Sequence, residues 1–205
     1  MILASHNSWS YAKPKYWYIH PFRFMARCQR KNIQQQWNSG VRVFDLRLYF
    51  KDTKPCIRHG IMTFDVSEEQ WMKDLAFLNQ QAEKLPDHSP VYVRVMLEQN
   101  HRYSNQEFLE SCFKIYCKSL ASHFPYILFI GGTRKYDEKR LYDFENLEPV
   151  ILHNYSSTTS MFGKSVAKWY AKLDDWWPWL YAHLFNDSIM GKYHNENSYV
   201  MMDFI

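Results

Sequence analysis

The stretch from Gly40 to Gly60 restricts this chain more than any other. Val41, Val43, Leu46, Leu48 and Phe50 form an apolar, largely β-forming run that predicts a strand, and Asp45 and Arg47, two positions apart, fall on one of its faces. A carboxylate and a guanidinium are too costly to bury on such a strand unless they meet partners or a ligand. A core ion pair would meet that need, and so would a binding site. His59, followed by Gly60, is expected on the next rim turn or strand, and by itself it fits a satisfied core histidine equally well.

A second stretch, Ser5-His6-Asn7-Ser8, closes the short apolar run at the start of the chain. The chain then offers two histidines, each at the C-terminal end of a short apolar segment, and an arginine at the end of another. Phosphodiester cleavage by general acid–base chemistry needs such a set. One imidazole takes a proton from the nucleophile, one protonates the leaving oxygen, and a cation meets the phosphoryl charge.

Ser5-His6-Asn7-Ser8, Cys28-Gln29 running through Ile33 and Trp37 into Gly40 to Arg47, the His59-Gly60 pair and the closing Val200-Met201-Met202-Asp203-Phe204-Ile205 occur in an order that resembles the catalytic X domain of phosphatidylinositol-specific phospholipase C. The resemblance spans the chain and implies a distorted (β/α)8 TIM-type barrel, a single domain over residues 1–205. It assigns His6 as general base on the inositol 2-hydroxyl, His59 as general acid towards the diacylglycerol oxygen, and Asp203 as the carboxylate orienting the base. Arg47, with Asp45 beside it, matches the bacterial, metal-independent branch, in which arginine stands where animal enzymes have an acidic calcium ligand. No cofactor is therefore expected. Asn7 and Glu98 depart from the bacterial pattern, which has Asp and Lys there, and both are found near the calcium site of the other branch. Calcium is the alternative for that reason. Arg134 and Tyr155 are weaker matches to groups that touch the substrate ring, and His153 falls near the place of an inositol-binding Asp.

The 205 residues suit one sizeable domain, and 22% charged with 46% hydrophobic residues is a globular composition. A net charge of +4 suits an anionic partner such as a phosphate head group and is too small to indicate nucleic acid. No run approaches the 18 apolar residues of a membrane span, and no signal-peptide pattern precedes the first strand, which suggests a cytoplasmic or peripheral membrane protein, or a secreted one if a leader has been removed. Cys28, Cys56, Cys112 and Cys117 show neither C-x-x-C nor zinc spacing, and Cys56 lies close in sequence to His59. Between Trp9 and Phe24, seven aromatic residues alternate with Lys13, Lys15 and Arg23. Rings there, Trp17 and Tyr18 foremost, suit a phospholipid surface, and several could equally cap the mouth of the fold.

The remaining pattern is strand and helix in alternation, as expected for parallel strands with helical crossovers. Asn32 is a plausible cap for a short helix stopped at Gly40, and Ser67 to Gln70 opens a helix whose Trp71, Leu75, Leu78, Ala82 and Leu85 keep one face. Val91 to Leu97 is a strand. A second capping box at Ser104 to Glu107 precedes a helix with Phe108, Cys112, Ile115 and Ser119 as its expected buried stripe. Strands are expected at Tyr126 to Ile130, stopped by Gly131-Gly132, at Pro149 to Leu152, and from Tyr199 to the end. Three functions remain open: a phosphatidylinositol phosphodiesterase, a relative acting on a glycerophosphodiester or lysolipid, and a non-catalytic phosphoinositide-binding protein.

Overall fold

Strand β2, Val41–Lys51, is the axis of a mixed eight-stranded sheet, and it is the apolar run that the sequence analysis starts from. The structure is a computed structural model that describes residues 2–51, 53–86, 89–98, 106–133, 142–143, 177–193 and 199–205. On one side β2 pairs in parallel with β1, Ile2–Ser5, which itself pairs in parallel with β8, Tyr199–Met202. On the other it pairs in parallel with β5, Val91–Leu97, with Asp45 opposite Arg94, and β5 continues in parallel to β6, Ile127–Thr133. Two antiparallel hairpins complete the sheet. β3, Lys54–His59, folds back along the end of β2 and is followed by β4, Met62–Thr63, while β7, Tyr142–Asp143, pairs with β6.

The barrel expected from the sequence is not closed among the described residues: pairing runs β8-β1-β2-β5-β6-β7, and the sheet is open between its two ends. The few residues between β2 and β3 leave no space for a crossover helix, so β3 must return antiparallel. The strand expected at 149–152 lies outside the described residues.

Helix α1, Ile33–Asn38, starts at Asn32 through a full capping box, with the Asn32 side chain accepting from the Gln35 backbone N–H and the Gln35 side chain accepting from that of Asn32. Gly40 follows it with φ +90°, a conformation glycine adopts without strain. Helix α2, Glu68–Glu83, is capped by Ser67 and buries Trp71, Leu75, Leu78 and Ala82 as its spacing predicts. Each of the larger side chains contributes roughly 1.5–3 kcal/mol of burial.

Helix α3, Gln106–His123, buries a different stripe from the one expected. Phe108 and Ile115 are 49% and 70% exposed, while Phe113, Cys117 and Leu120 are in the core. Apolar residues lie on more than one face of this helix, and the face turned inward is the one whose Phe113 meets Phe50 edge-on, with ring centroids 6.5 Å apart. Strand β6 also differs, continuing through Gly131 and Gly132 because β5 offers both a ladder partner, Val95 and Met96. The last helix, α4, spans Pro178–Tyr193.

Candidate active site

His6 and Asp203 follow directly on β1 and β8, and the parallel pairing of Ser5 with Met202 sets them side by side. The backbone N–H of His6 donates to the Met202 carbonyl at 3.0 Å, continuing the ladder past the strand ends. Gln29, fully buried, fixes both ends from behind: Nε2 donates to the carbonyls of Met202 at 2.9 Å and His6 at 3.2 Å, and Oε1 accepts from the Ile205 backbone at 3.3 Å. His59 arrives by a different route. It ends β3, whose antiparallel return brings it back beside β2 rather than out to a rim turn.

His6, His59 and Asp203 share a backbone feature. Each is followed by a residue with positive φ: Asn7 at 43°, Gly60 at 56° and Phe204 at 50°. Only glycine accepts this freely, asparagine tolerates it, and for a phenylalanine it costs about 1–2 kcal/mol. At Phe204 the conformation is held by its N–H donating to the Cys28 carbonyl at 2.6 Å.

The side chains form one connected set. Arg47 donates from Nε to Asp45 Oδ2 at 2.8 Å, from Nη1 to Glu98 Oε1 at 3.0 Å and from Nη2 to His6 Nε2 at 2.7 Å. A guanidinium can only donate, so His6 Nε2 must accept and the ring proton must sit on Nδ1. That proton is donated to Asp203 Oδ1 at 2.7 Å. The Arg47 contact thus fixes the tautomer, with the basic nitrogen of His6 facing the cation. His59 Nδ1 donates to the Ala26 carbonyl at 3.1 Å, and the two imidazole rings lie 5.4 Å apart at 88°.

Asp45 is fully buried. Burial alone would raise its carboxyl, but Arg47, Arg94 and His6 hold it well below the usual carboxylate range. Burial would likewise weaken the Arg47 guanidinium, and Asp45 with Glu98 raises it instead. The His59 ring is pushed down to about 3, first by burial and then by Arg47 and His6, against the opposing pull of Glu98 and the Ala26 carbonyl. Without an anion nearby, His59 is neutral at neutral pH.

A cavity of about 210 Å³ is lined by His6, His59 and Asp203 together with Ala26, Phe22 and Ile61 among others. Ile61 is 79% exposed, and Trp17, at 82%, leads a run of exposed rings with Tyr18, Phe22 and Phe24 on the 3-10 segment Trp17–Met25. The aromatic stretch therefore divides. Trp9 is core, its Nε1 donating to Asp74 at 2.9 Å, and the rings from Trp17 onward face outward.

Of the residues singled out in the sequence, His6, Asp45, Arg47, His59, Glu98 and Asp203 are brought together. Asn7 adjoins them; its backbone N–H donates to Asp45 Oδ2 at 3.0 Å, but its buried carboxamide makes no hydrogen bond among the described residues. Arg134, His153 and Tyr155 lie outside the described residues. The cysteine at the site is Cys28, with Sγ 3.7 Å from His59 Nδ1, whereas Cys56, nearer in sequence, donates to the Tyr49 carbonyl instead. Arg94, whose Nε is 3.9 Å from Asp45 Oδ1, was legible: an arginine within Val91 to Leu97 needs an acidic partner across the sheet. Cys28 and Gln29 carried no such signal.

The Asp45 and Glu98 carboxylates are both engaged by Arg47, whose guanidinium lies between them.

Two solved structures align over 99% of the chain. The H258Y mutant of the phosphatidylinositol-specific phospholipase C from Staphylococcus aureus is 14% identical, with 84% of that chain covered and a TM-score of 0.61. Phosphatidylinositol-specific phospholipase C from Listeria monocytogenes is 15% identical, with 87% covered and a TM-score of 0.58. The chain has the fold of the bacterial phosphatidylinositol-specific phospholipases C. Another S. aureus phosphatidylinositol-specific phospholipase C structure aligns with 65% of the chain, which spans about half of that protein's length (47%), at 17% identity and a TM-score of 0.46. No protein-family model matches the sequence, and neither does any curated protein. No described helix is long and apolar enough to cross a membrane.

Proposed function

We propose that the chain cleaves phosphatidylinositol or a related lipid phosphodiester by attack of a neighbouring hydroxyl on phosphorus, releasing diacylglycerol and a cyclic phosphate. The observation that carries this reading is the triangle of His6, His59 and Arg47, with the rings 5.4 Å apart and Arg47 bonded to the first of them. A phosphoryl oxygen arriving in the cavity takes the Nη2 donor of Arg47, while Asp45 and Glu98 keep the planar group oriented through Nε and Nη1. His6 Nε2 is released by that exchange and accepts the proton of the attacking hydroxyl, and Asp203 stabilises the imidazolium that results. The substrate anion beside His59 offsets the burial and the Arg47 and His6 charges that keep this ring neutral, so that it takes up the proton it then gives to the leaving oxygen.

In this reading the open described sheet is the wall of a distorted barrel, and Trp17 and Tyr18 contact the lipid surface beside the cavity. Arg47 supplies the positive charge, and calcium has no part in the reaction. The test is incubation with vesicles of phosphatidylinositol, glycerophosphodiester and lysolipid substrates, followed by phosphorus NMR, with and without a calcium chelator. A cyclic product whose rate is indifferent to chelation is expected, and His6→Ala and His59→Ala should each reduce turnover by about 10²- to 10⁴-fold. Binding of phosphoinositide vesicles with no cleavage of any substrate would replace this reading with that of a non-catalytic lipid-binding protein.

A further inference from the structure

We propose that His6, Cys28 and His59 form a binding site for a thiophilic divalent ion such as zinc, seated where the two histidines would otherwise meet substrate. One ring nitrogen of each histidine and the Cys28 sulfur lie within 4.8 Å of one another. For tetrahedral zinc, bond lengths near 2.3 Å to sulfur and 2.0–2.1 Å to nitrogen place sulfur and nitrogen about 3.6 Å apart. Cys28 Sγ and His59 Nδ1 are already 3.7 Å apart, and Nδ1 becomes a ligand once the ring proton moves to Nε2 and the bond to the Ala26 carbonyl is given up. Closing the rest of the triangle takes side-chain rotations on the order of 1 Å from this spacing.

The surroundings also suit a metal. A ligating histidine usually donates its other ring N–H to a carboxylate or carbonyl, which orients the ring and raises its basicity. His6 has that arrangement through Asp203 at 2.7 Å, leaving Nε2 as the ligand atom. An ion approaching through the cavity meets His6 and His59 in its wall, with the buried Cys28 beyond them.

Arg47 is the evident objection, since its Nη2 occupies His6 Nε2. Its other two donors remain held by Asp45 and Glu98, so only the third contact is exchanged. The charge around the site permits the exchange. Asp45, Glu98 and Asp203 with a Cys28 thiolate oppose Arg47 and Arg94, an excess of two negative charges that one divalent ion neutralises. Binding forms one metal–sulfur and two metal–nitrogen bonds, moves the His59 ring proton from Nδ1 to Nε2 and releases the Cys28 proton to solvent, and water completes the coordination. The inhibitory consequence rests on the proposed catalytic roles of the two histidines; the site itself does not.

Cobalt(II) titration of the full chain tests the site without any turnover measurement. Sulfur-to-cobalt charge-transfer absorption saturating at one ion per chain, and reversed by zinc, is expected. It should vanish in Cys28→Ser, while His59→Gln and Asp203→Asn should each weaken binding by about tenfold or more, with circular dichroism confirming that each variant is folded. Absence of the sulfur band, or its persistence in folded Cys28→Ser, overturns the site and leaves the catalytic reading standing. If cobalt binds with the expected band and zinc at saturation fails to inhibit phosphatidylinositol cleavage, the site stands and the roles given to His6 and His59 fall.

Discussion

Replacing Arg47 with methionine should cost the protein about 3–5 kcal/mol of stability, because it strips the main counter-charge from a buried carboxylate. Asp45 is fully buried and Glu98 nearly so, and Arg47 bonds both. What Asp45 keeps is the Asn7 backbone N–H at 3.0 Å and the Arg94 guanidinium at 3.9 Å, which argues for the lower end of that range. The Lys73–Glu69 pair is the built-in comparison. It spans i to i+4 on an exposed helix surface, where solvent screens the charges, and breaking it with Glu69→Gln should leave stability close to that of the parent. Urea unfolding with an unchanged slope measures both. The cycle through Asp45→Asn then isolates the pair: the double variant should be more stable than additivity predicts by about 1–3 kcal/mol, since the uncompensated charge is gone. The acid side gives an independent sign. Asp45 titrates below its ordinary range in the folded protein, so its contribution is present in full above about pH 4 and fades as pH falls further. The gap between parent and Arg47→Met should therefore narrow below about pH 4. A loss under about 1 kcal/mol for Arg47→Met, or an additive cycle, would show that the buried charges are satisfied by other groups and that Arg47 does not organise them.

Trp17→Ala with Tyr18→Ala should weaken binding to anionic vesicles while leaving turnover of a soluble short-chain substrate nearly unchanged; equal loss on both substrates would make these rings structural. Asn7→Gly removes an unbonded buried amide from a left-handed position, so thermal or urea unfolding should place it within about 1 kcal/mol of the parent. A fall in turnover beside that unchanged stability would mark the amide as part of the site, and a large destabilisation would mean that it has structural partners. The His59 ring, followed by NMR, should titrate near 3 in the free protein and higher with an inositol phosphate bound. Because the unfolded ring binds its proton at about 6.5, this depressed value makes His59 a source of lost stability as pH falls from about 6.5 towards 3 and of none above it. A free-protein value near 6.5 would show that neither burial nor the neighbouring charges hold this ring neutral.

What could be read from the sequence divides along a physical line. Local signals held: the β2 run, the Asn32 capping box and the one-faced pattern of α2 each depend on neighbours a few residues away. The buried face of α3 did not, because Phe108 and Ile115 are as apolar as Phe113 and Cys117, and the choice is made by Phe50 on a distant strand. Gly131 and Gly132 failed as a stop signal for the same reason, since the neighbouring strand supplies the ladder. Within the site, charged residues on apolar strands announced themselves by the cost of burying them, which is how Asp45 and Arg47 were found and Arg94 could have been. Cys28 reaches His59 across 31 positions, a separation no local pattern encodes.

The same contrast explains where local rules are broken. Five described residues have positive φ, and three of them directly follow His6, His59 and Asp203. A strand that simply continued would carry alternate side chains to opposite faces of the sheet, whereas a left-handed residue bends the backbone away just past the functional group. Gly60 does this freely, but Asn7 and Phe204 do it at a cost, and the Phe204 turn is held by a bond to the Cys28 carbonyl. Strain of this kind persists only where the surrounding structure over-determines it, and here Gln29 and Cys28 bind both strand ends. The segment that contributes the thiol beside His59 is thus the one that holds the ends bearing His6 and Asp203. Changes in Cys28 or Gln29 should for that reason reach both histidines at once.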